Sequence, residues 1–284
     1  MKTLKSHSAR AVFCILCLGM GPLFSFSQSE RPTNRGIESL EARPSRSDTA
    51  SSQLIKNYLA VTGGRQKHLA IRNVVATGTI KESTLERNFR LIETLDGKRH
   101  LTYHWTHLGR KHREVYVFDG LQSWKQVLEP EQQEAMLISG AESTHFSNHR
   151  WLLQPFILPT MANYVFTYQG SDKVAGRPAH LVRGLGKKDI PSWFYFDKET
   201  SLLTRWGGEG QIAGTEEPMD YRATQFKSFG GVILPSKIIL LAEEAPFGRI
   251  NFEEIETNRN LTDLSFFMPR STVPILRQRP VAPN

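Results

Sequence analysis

From residue 74 onward, apolar and polar residues alternate with a period of two, the signature of half-buried strands. Val74–Thr84, Arg87–Leu95, Arg99–Thr106 and Glu114–Phe118 read as strands, punctuated by turn sequences at Asp96-Gly97, Leu108-Gly109 and Asp119-Gly120. A fifth strand, Gln122–Leu128, carries Trp124. After an interruption the period returns in Tyr164–Gln169, His180–Arg183, Trp193–Phe196 and Leu202–Trp206, the last two joined by the turn Asp197-Lys198-Glu199-Thr200. Three more strands follow: Tyr221–Ser228, one centred on Ile238–Leu240, and Arg249–Thr257. Gly230-Gly231 and Ala245-Pro246-Phe247-Gly248 are the reversals between them. Pro235 has no N–H to give to a ladder and is expected at a strand start or an edge. Asp263 is expected to cap a short turn that packs Phe266, Phe267 and Met268 before Pro269 ends it.

Helical spacing is confined to two regions. Leu54, Ile55, Tyr58 and Leu59 share one helix face, with Ser51 or Ser52 as cap and Gly63-Gly64 as the stop; Arg65–Ile71 predicts a second short helix. Within the interruption, Glu131–Ser139 and His145–Leu153 are helical candidates, and Pro155 and Pro159 break the second. The run Trp151–Met161 is the most apolar of the chain beyond residue 27. Burying each large side chain is worth roughly 1.5–3 kcal/mol, so this run must pack on something. It predicts a mobile lid over the concave face of the sheet.

The first 27 residues break the pattern. Lys2, Lys5 and Arg10 precede the apolar stretch Ala11–Met20, and Ser25-Phe26-Ser27 supplies small residues, so an export signal cleaved after Ser27 is expected. Gly19, Gly21 and Pro22 interrupt the apolar run, which falls short of the ~20 residues a spanning helix needs. Both cysteines, Cys14 and Cys17, lie in this segment. The mature chain is therefore expected to have no disulfide and no thiolate site. Taking three basic residues from 36 leaves 33 against 28 acidic ones, a balance of +5 that does not point to nucleic acid. Polar Gln28–Ala50 reads as a disordered linker, 51–270 as one β domain, and 271–284 as a disordered tail.

The order of elements, with Tyr58–Gly64 before a strand opening near Val74, resembles the LolA-like periplasmic lipoprotein-carrier superfamily, most of all the outer-membrane lipoprotein-sorting proteins. Further matching motifs are Phe118-Asp119-Gly120 with Trp124 after it, Ala175-Gly176-Arg177-Pro178-Ala179, and Phe196-Asp197 with Glu199-Thr200 and Leu202. The Gly230-Gly231 to Leu234-Pro235 hairpin and Asn258 followed by Asp263, Phe267 and Pro269 complete the set, which covers most of 52–270. The resemblance implies a mainly β fold with a few helices: an incomplete, strongly curved antiparallel β-barrel whose open side the helices cover. It implies carriage of lipid or lipoprotein acyl chains across the periplasm; a monomer without cofactor is expected. The same scaffold also hosts an enzyme, and an envelope protein-interaction module is a third reading.

Alternation assigns Tyr103, Trp105, Trp124, Phe194, Phe196 and Ile238 to the lining of the cavity, with Trp151, Phe156 and Ile157 from the lid. The segment KRHLTYHWTHLGRKHR, 98–113, is strongly basic. Lys98, Arg99, Arg110, Lys111 and Arg113 are expected on a solvated hairpin face, with contact to an anionic membrane surface as the sharper alternative. Its four histidines, His100, His104, His107 and His112, have no carboxylate among them, so no metal is expected. Glu243-Glu244 and Glu253-Glu254 would point to opposite faces of a strand, Gly207-Gly208-Glu209-Gly210 lacks the lysine of a phosphate loop, and no G-x-S-x-G occurs. No catalytic residue is assigned.

Overall fold

The computed structural model describes residues 46–82, 85–159, 163–186, 189–208, 219–242, 244–261 and 266–269. The export segment, most of the linker, Met161, Asp263 and the tail lie outside the described residues. Local turns build thirteen strands: β1 (Asn73–Glu82), β2 (Leu85–Thr94), β3 (Arg99–His107), β4 (Arg110–Phe118), β5 (Ser123–Glu129), β6 (Met136–Ile138), β7 (Val165–Val174), β8 (Arg177–Leu185), β9 (Pro191–Asp197), β10 (Leu203–Gly208), β11 (Met219–Phe229), β12 (Val232–Ala242) and β13 (Ala245–Thr257). They form one antiparallel sheet in the order β6-β5-β4-β3-β2-β1-β13-β12-β11-β10-β9-β8-β7. Two meanders, β1–β6 and β7–β13, meet at the β1–β13 pair, and the sheet stays open between β6 and β7.

At that central pair the register shifts between Thr77 and Gly78. A Cβ on Gly78 would lie 2.0 Å from the Asn251 carbonyl oxygen, so only glycine permits this close approach. Pro235 lies inside β12 rather than at its start, but its surroundings obey the expected logic. The β12–β13 ladder begins only at Lys237, and a bulge interrupts pairing to β11 beside Phe226. The reversal before β13 lies between the paired Ala242 and Ala245, with Glu244 in the left-handed region at φ 69°. Ala245–Gly248 therefore belongs to the strand and not to the turn.

Helix α1 (Thr49–Val61) is capped by Asp48, whose side chain accepts from Ser51 N at 2.6 Å; Ser51 and Ser52 sit inside the helix. The same carboxylate accepts from Tyr168 N, also at 2.6 Å, and so covers edge strand β7. α2 (Arg65–Ala70) follows. The helix expected at Glu131–Ser139 does not form. Gln126 Nε2 donates to Gln133 O and Gln133 N to Val127 O, which holds the stretch against β5 until β6 begins. Helix α3 instead spans Gly140–Asn148.

Two apolar layers result. The inner face, under the helices, gathers one large core that includes Tyr58, Leu91, Phe156, Phe196, Trp206 and Ile238. On the outer face Val75, Ile92, Val115, Val117, Trp124 and Phe266 form a smaller cluster. At the far end Val174, Ala179 and Tyr195 cover the outer side of β9, whose aromatic residues thus face both ways.

Candidate ligand-binding site

The segment after α3 crosses the inner face. Trp151, Leu152, Leu153, Phe156 and Ile157 are at most 4% exposed. Residues 151–153 belong to no helix or strand, so their buried N–H groups need an acceptor from elsewhere. Glu93 of β2 supplies it. This side chain is in phase with Phe89 and Leu91 and is 0% exposed. Its Oε1 accepts from Trp151 N at 2.8 Å, and its Oε2 from Leu152 N at 3.0 Å and Leu153 N at 2.9 Å.

Two guanidinium groups flank this carboxylate. Arg99, directly opposite Glu93 in the β2–β3 ladder, places Nε 3.5 Å from Oε1. Its Nη1 donates to Phe146 O at 3.2 Å and His149 O at 2.9 Å, two carbonyls left open where α3 ends. The same group lies between two rings, 4.9 Å from the centroid of Phe146 and 4.8 Å from that of Trp151. Arg150 brings Nε to 4.0 Å from Glu93 Oε2 and donates from Nη2 to Thr94 O. Its own carbonyl accepts from Trp206 Nε1 at 2.8 Å. The segment expected to be a lid is thus fastened polar-to-polar at one end. At the other, Phe156 sits edge-on to Tyr58 and Phe194, 5.3 and 5.4 Å between centroids.

Beside the latch, His145 Nε2 lies 2.8 Å from the Tyr221 hydroxyl, and His145 Nδ1 lies 2.9 Å from His149 Nδ1. Burial, reinforced by His149 and by Arg99, holds His145 well below the usual imidazole range. Burial and then Arg99 bring His149 down to about 3. Both rings are therefore neutral near pH 7, and one proton bridges the pair.

Between this cluster and the sheet lies a cavity of about 110 Å³. Leu101, Tyr103, Tyr116, Phe146, Trp151 and Tyr221 form its walls, and Arg99 and the Glu82–Arg87 ion pair also reach it. Burial raises the Tyr103 hydroxyl to about 12, so it remains an uncharged hydroxyl. A pocket for a ligand of some tens of atoms needs ~300–1,000 Å³, so this space is smaller than such a ligand requires.

Of the residues assigned from sequence, Tyr103 and Trp151 border the cavity. Phe156, Ile157, Phe194, Phe196 and Ile238 lie in the same inner core, packed against one another or their neighbours. Trp105 stands farther along the same face of β3, stacked 4.8 Å from His112. Trp124 lies on the outer face: it is in phase with the cluster of Val115 and Val117 and donates from Nε1 to Phe266 O at 3.2 Å. The basic set does not form one patch. Arg99 is 2% exposed and belongs to the latch. Lys98 and the Arg110-Lys111 tip sit at opposite ends of β3, nine residues and roughly 30 Å apart. Arg113 is in phase with the outer face, and Glu129 and Glu131 border the same depression as Arg110 and Lys111. Sequence reasoning missed Glu93, Arg150, His145 and His149. A signal existed for the first: in Phe89-x-Leu91-x-Glu93 a carboxylate stands where alternation calls for an apolar side chain.

No protein-family model matches the chain, and no curated protein matches it in sequence. Solved structures do. A putative outer membrane lipoprotein-sorting protein domain from Vibrio parahaemolyticus superposes with a TM-score of 0.50 at 11% identity, covering 76% of this chain and 96% of that one. The fold is LolA-like. A LolA superfamily protein from Nitrosomonas europaea gives a TM-score of 0.49 at 9% identity, covering 76% of this chain and 97% of that one. A DUF1329 family protein from Desulfovibrio piger gives 0.45 at 14% identity, with 76% and 97% covered. At such identities the likeness concerns the fold alone. The LolA-like sheet here is open, with its helices and the 151–157 segment on one face.

Proposed function

We propose that this protein is an exported, periplasmic, non-catalytic carrier or binding protein for the acyl chains of a lipid or a lipoprotein, acting as a monomer. The observation that carries the reading is the lid. An apolar segment lies on an apolar sheet face, fastened through one carboxylate, two guanidinium groups and a few carbonyls. Opening it breaks a small set of polar bonds and leaves every sheet ladder intact, while uncovering enough apolar surface for an acyl chain. The cavity beside the latch is the place where a chain begins to enter. Native mass spectrometry of protein purified from its own periplasm, with titration of a fluorescent fatty acid, tests this. Co-purifying lipid and saturable probe binding are expected. Absence of both, with turnover of a hydrophobic substrate, would replace carriage by catalysis. An intact Met1 on the isolated protein would remove the export step.

A further inference from the structure

We infer that the cavity receives an anionic head group beside Arg99, so that the preferred ligand is a free fatty acid entering carboxylate first. This deepens the acyl-binding reading and rests on it. The first argument is charge. Glu93, Arg99 and Arg150 are 0, 2 and 6% exposed, two cations against one anion. Neighbouring carboxylates are already engaged. Glu82 pairs with Arg87, and Glu142 lies 3.0 Å from Lys125 Nζ. Asp96 is half-exposed and takes the Thr94 hydroxyl. Buried Asp220 is out of phase with Tyr221 and is bound by Arg205 and Trp193. His145 and His149 are neutral imidazoles and offer no counter-charge. A buried cation in excess of its partners is costly, and the anion that compensates it gains accordingly.

The second argument is donors. Arg99 Nη2 and Trp151 Nε1 are both buried without a hydrogen-bond partner, and both residues line the cavity. The Tyr221 hydroxyl senses the indole N–H, but the two do not close a hydrogen bond. Buried donors left open cost ~1–3 kcal/mol each, more when charged. A carboxylate brings two acceptor oxygens and one negative charge, which answers a guanidinium N–H and an indole N–H together. An ester brings a carbonyl but no charge. Leu101, Tyr103 and Phe146 then meet the first methylenes.

The test uses the mature full chain with cis-parinaric acid and its methyl ester as fluorescent probes. Wild type should bind the acid at least about tenfold tighter than the ester. Arg99→Gln should remove that preference. Because Arg99 also fastens α3, Trp151→Phe provides a second variant that keeps an aromatic side chain and removes the indole N–H together with the five-membered ring, a loss of packing that both probes feel alike. It should weaken the acid several-fold more than the ester. Equal affinity of wild type for acid and ester would overturn the head-group inference while leaving acyl binding in place. So would equal loss for both probes in Trp151→Phe. Binding of neither probe to wild type would overturn both.

Discussion

Replacing Glu93 with glutamine tests whether one carboxylate closes the lid. The side chain keeps its size, so packing is unchanged, but two things are lost. The amide nitrogen cannot accept from the lid backbone, which strands at least one of the three N–H groups of residues 151–153. The negative charge between Arg99 and Arg150 also disappears. A hydrogen bond to a charged group contributes ~1.5–3 kcal/mol, and removing one member of a buried ion set costs ~3–5 kcal/mol. Both figures describe the same charge and do not add, so ~3–5 kcal/mol is the expected loss. Against a total stability of ~5–15 kcal/mol, a loss confined to the lid raises its opening equilibrium roughly a hundred- to a few-thousand-fold. Hydrogen exchange by mass spectrometry reads this directly, comparing peptides over 150–158 with peptides over β12. Faster exchange in the lid with β12 unchanged is the expected result. Wild-type exchange in the lid would refute the latch. An equal rise in β12 would refute its independence and make the segment ordinary core.

Three further outcomes follow from the same geometry. Both His145 and His149 are held neutral in the fold, so an unfolded chain gains protons below about pH 6.5 that the folded one refuses. The contribution of His149 is whole above that pH and is lost as pH falls toward about 3, by up to about 1.4 kcal/mol per pH unit, and His145 acts in the same direction. His149→Gln should flatten the decline in urea unfolding free energy between pH 6 and 4; an unchanged slope would count against it. Phe156→Ala should cost ~3–5 kcal/mol in the same assay, as much as a central core residue, because the ring is 1% exposed and meets four aromatic neighbours. Gly78→Ala should cost about 3 kcal/mol or more and lower the melting temperature, since its Cβ would overlap the Asn251 carbonyl; a neutral result would mean the central pair can re-register.

What could be read from the sequence was local. Hairpins such as that at Asp96-Gly97 are decided by four or five residues, and the strands on either side lie close to the predicted bounds. The LolA-like order of elements was legible for the same reason. The latch was not, because Glu93 and residues 151–153 meet only through the lid crossing, with more than fifty residues between them. Arg99 was misread as surface because charge near other charge usually means solvent, yet its phase with Leu101 and Tyr103 already pointed inward. Trp124 failed for want of register: a slip of one residue exchanges faces. The basic patch failed because closeness along a hairpin is not closeness in space.

The seam between β1 and β13 has a consequence for assembly. Each of the other pairings joins strands consecutive in the chain and can zip from its own turn, on the microsecond scale of isolated hairpins. The seam joins Val74 to Thr257 and must wait for both meanders. On a ribosome or behind a translocon, the first meander is complete long before β13 exists. Until then its β1 edge offers unpaired backbone, and Phe89, Leu91 and Leu101 lack the cover that the second half brings. The half-made molecule is thus sticky along one edge and one face. Its safe passage depends on how quickly the last forty residues arrive, or on what holds the first half meanwhile.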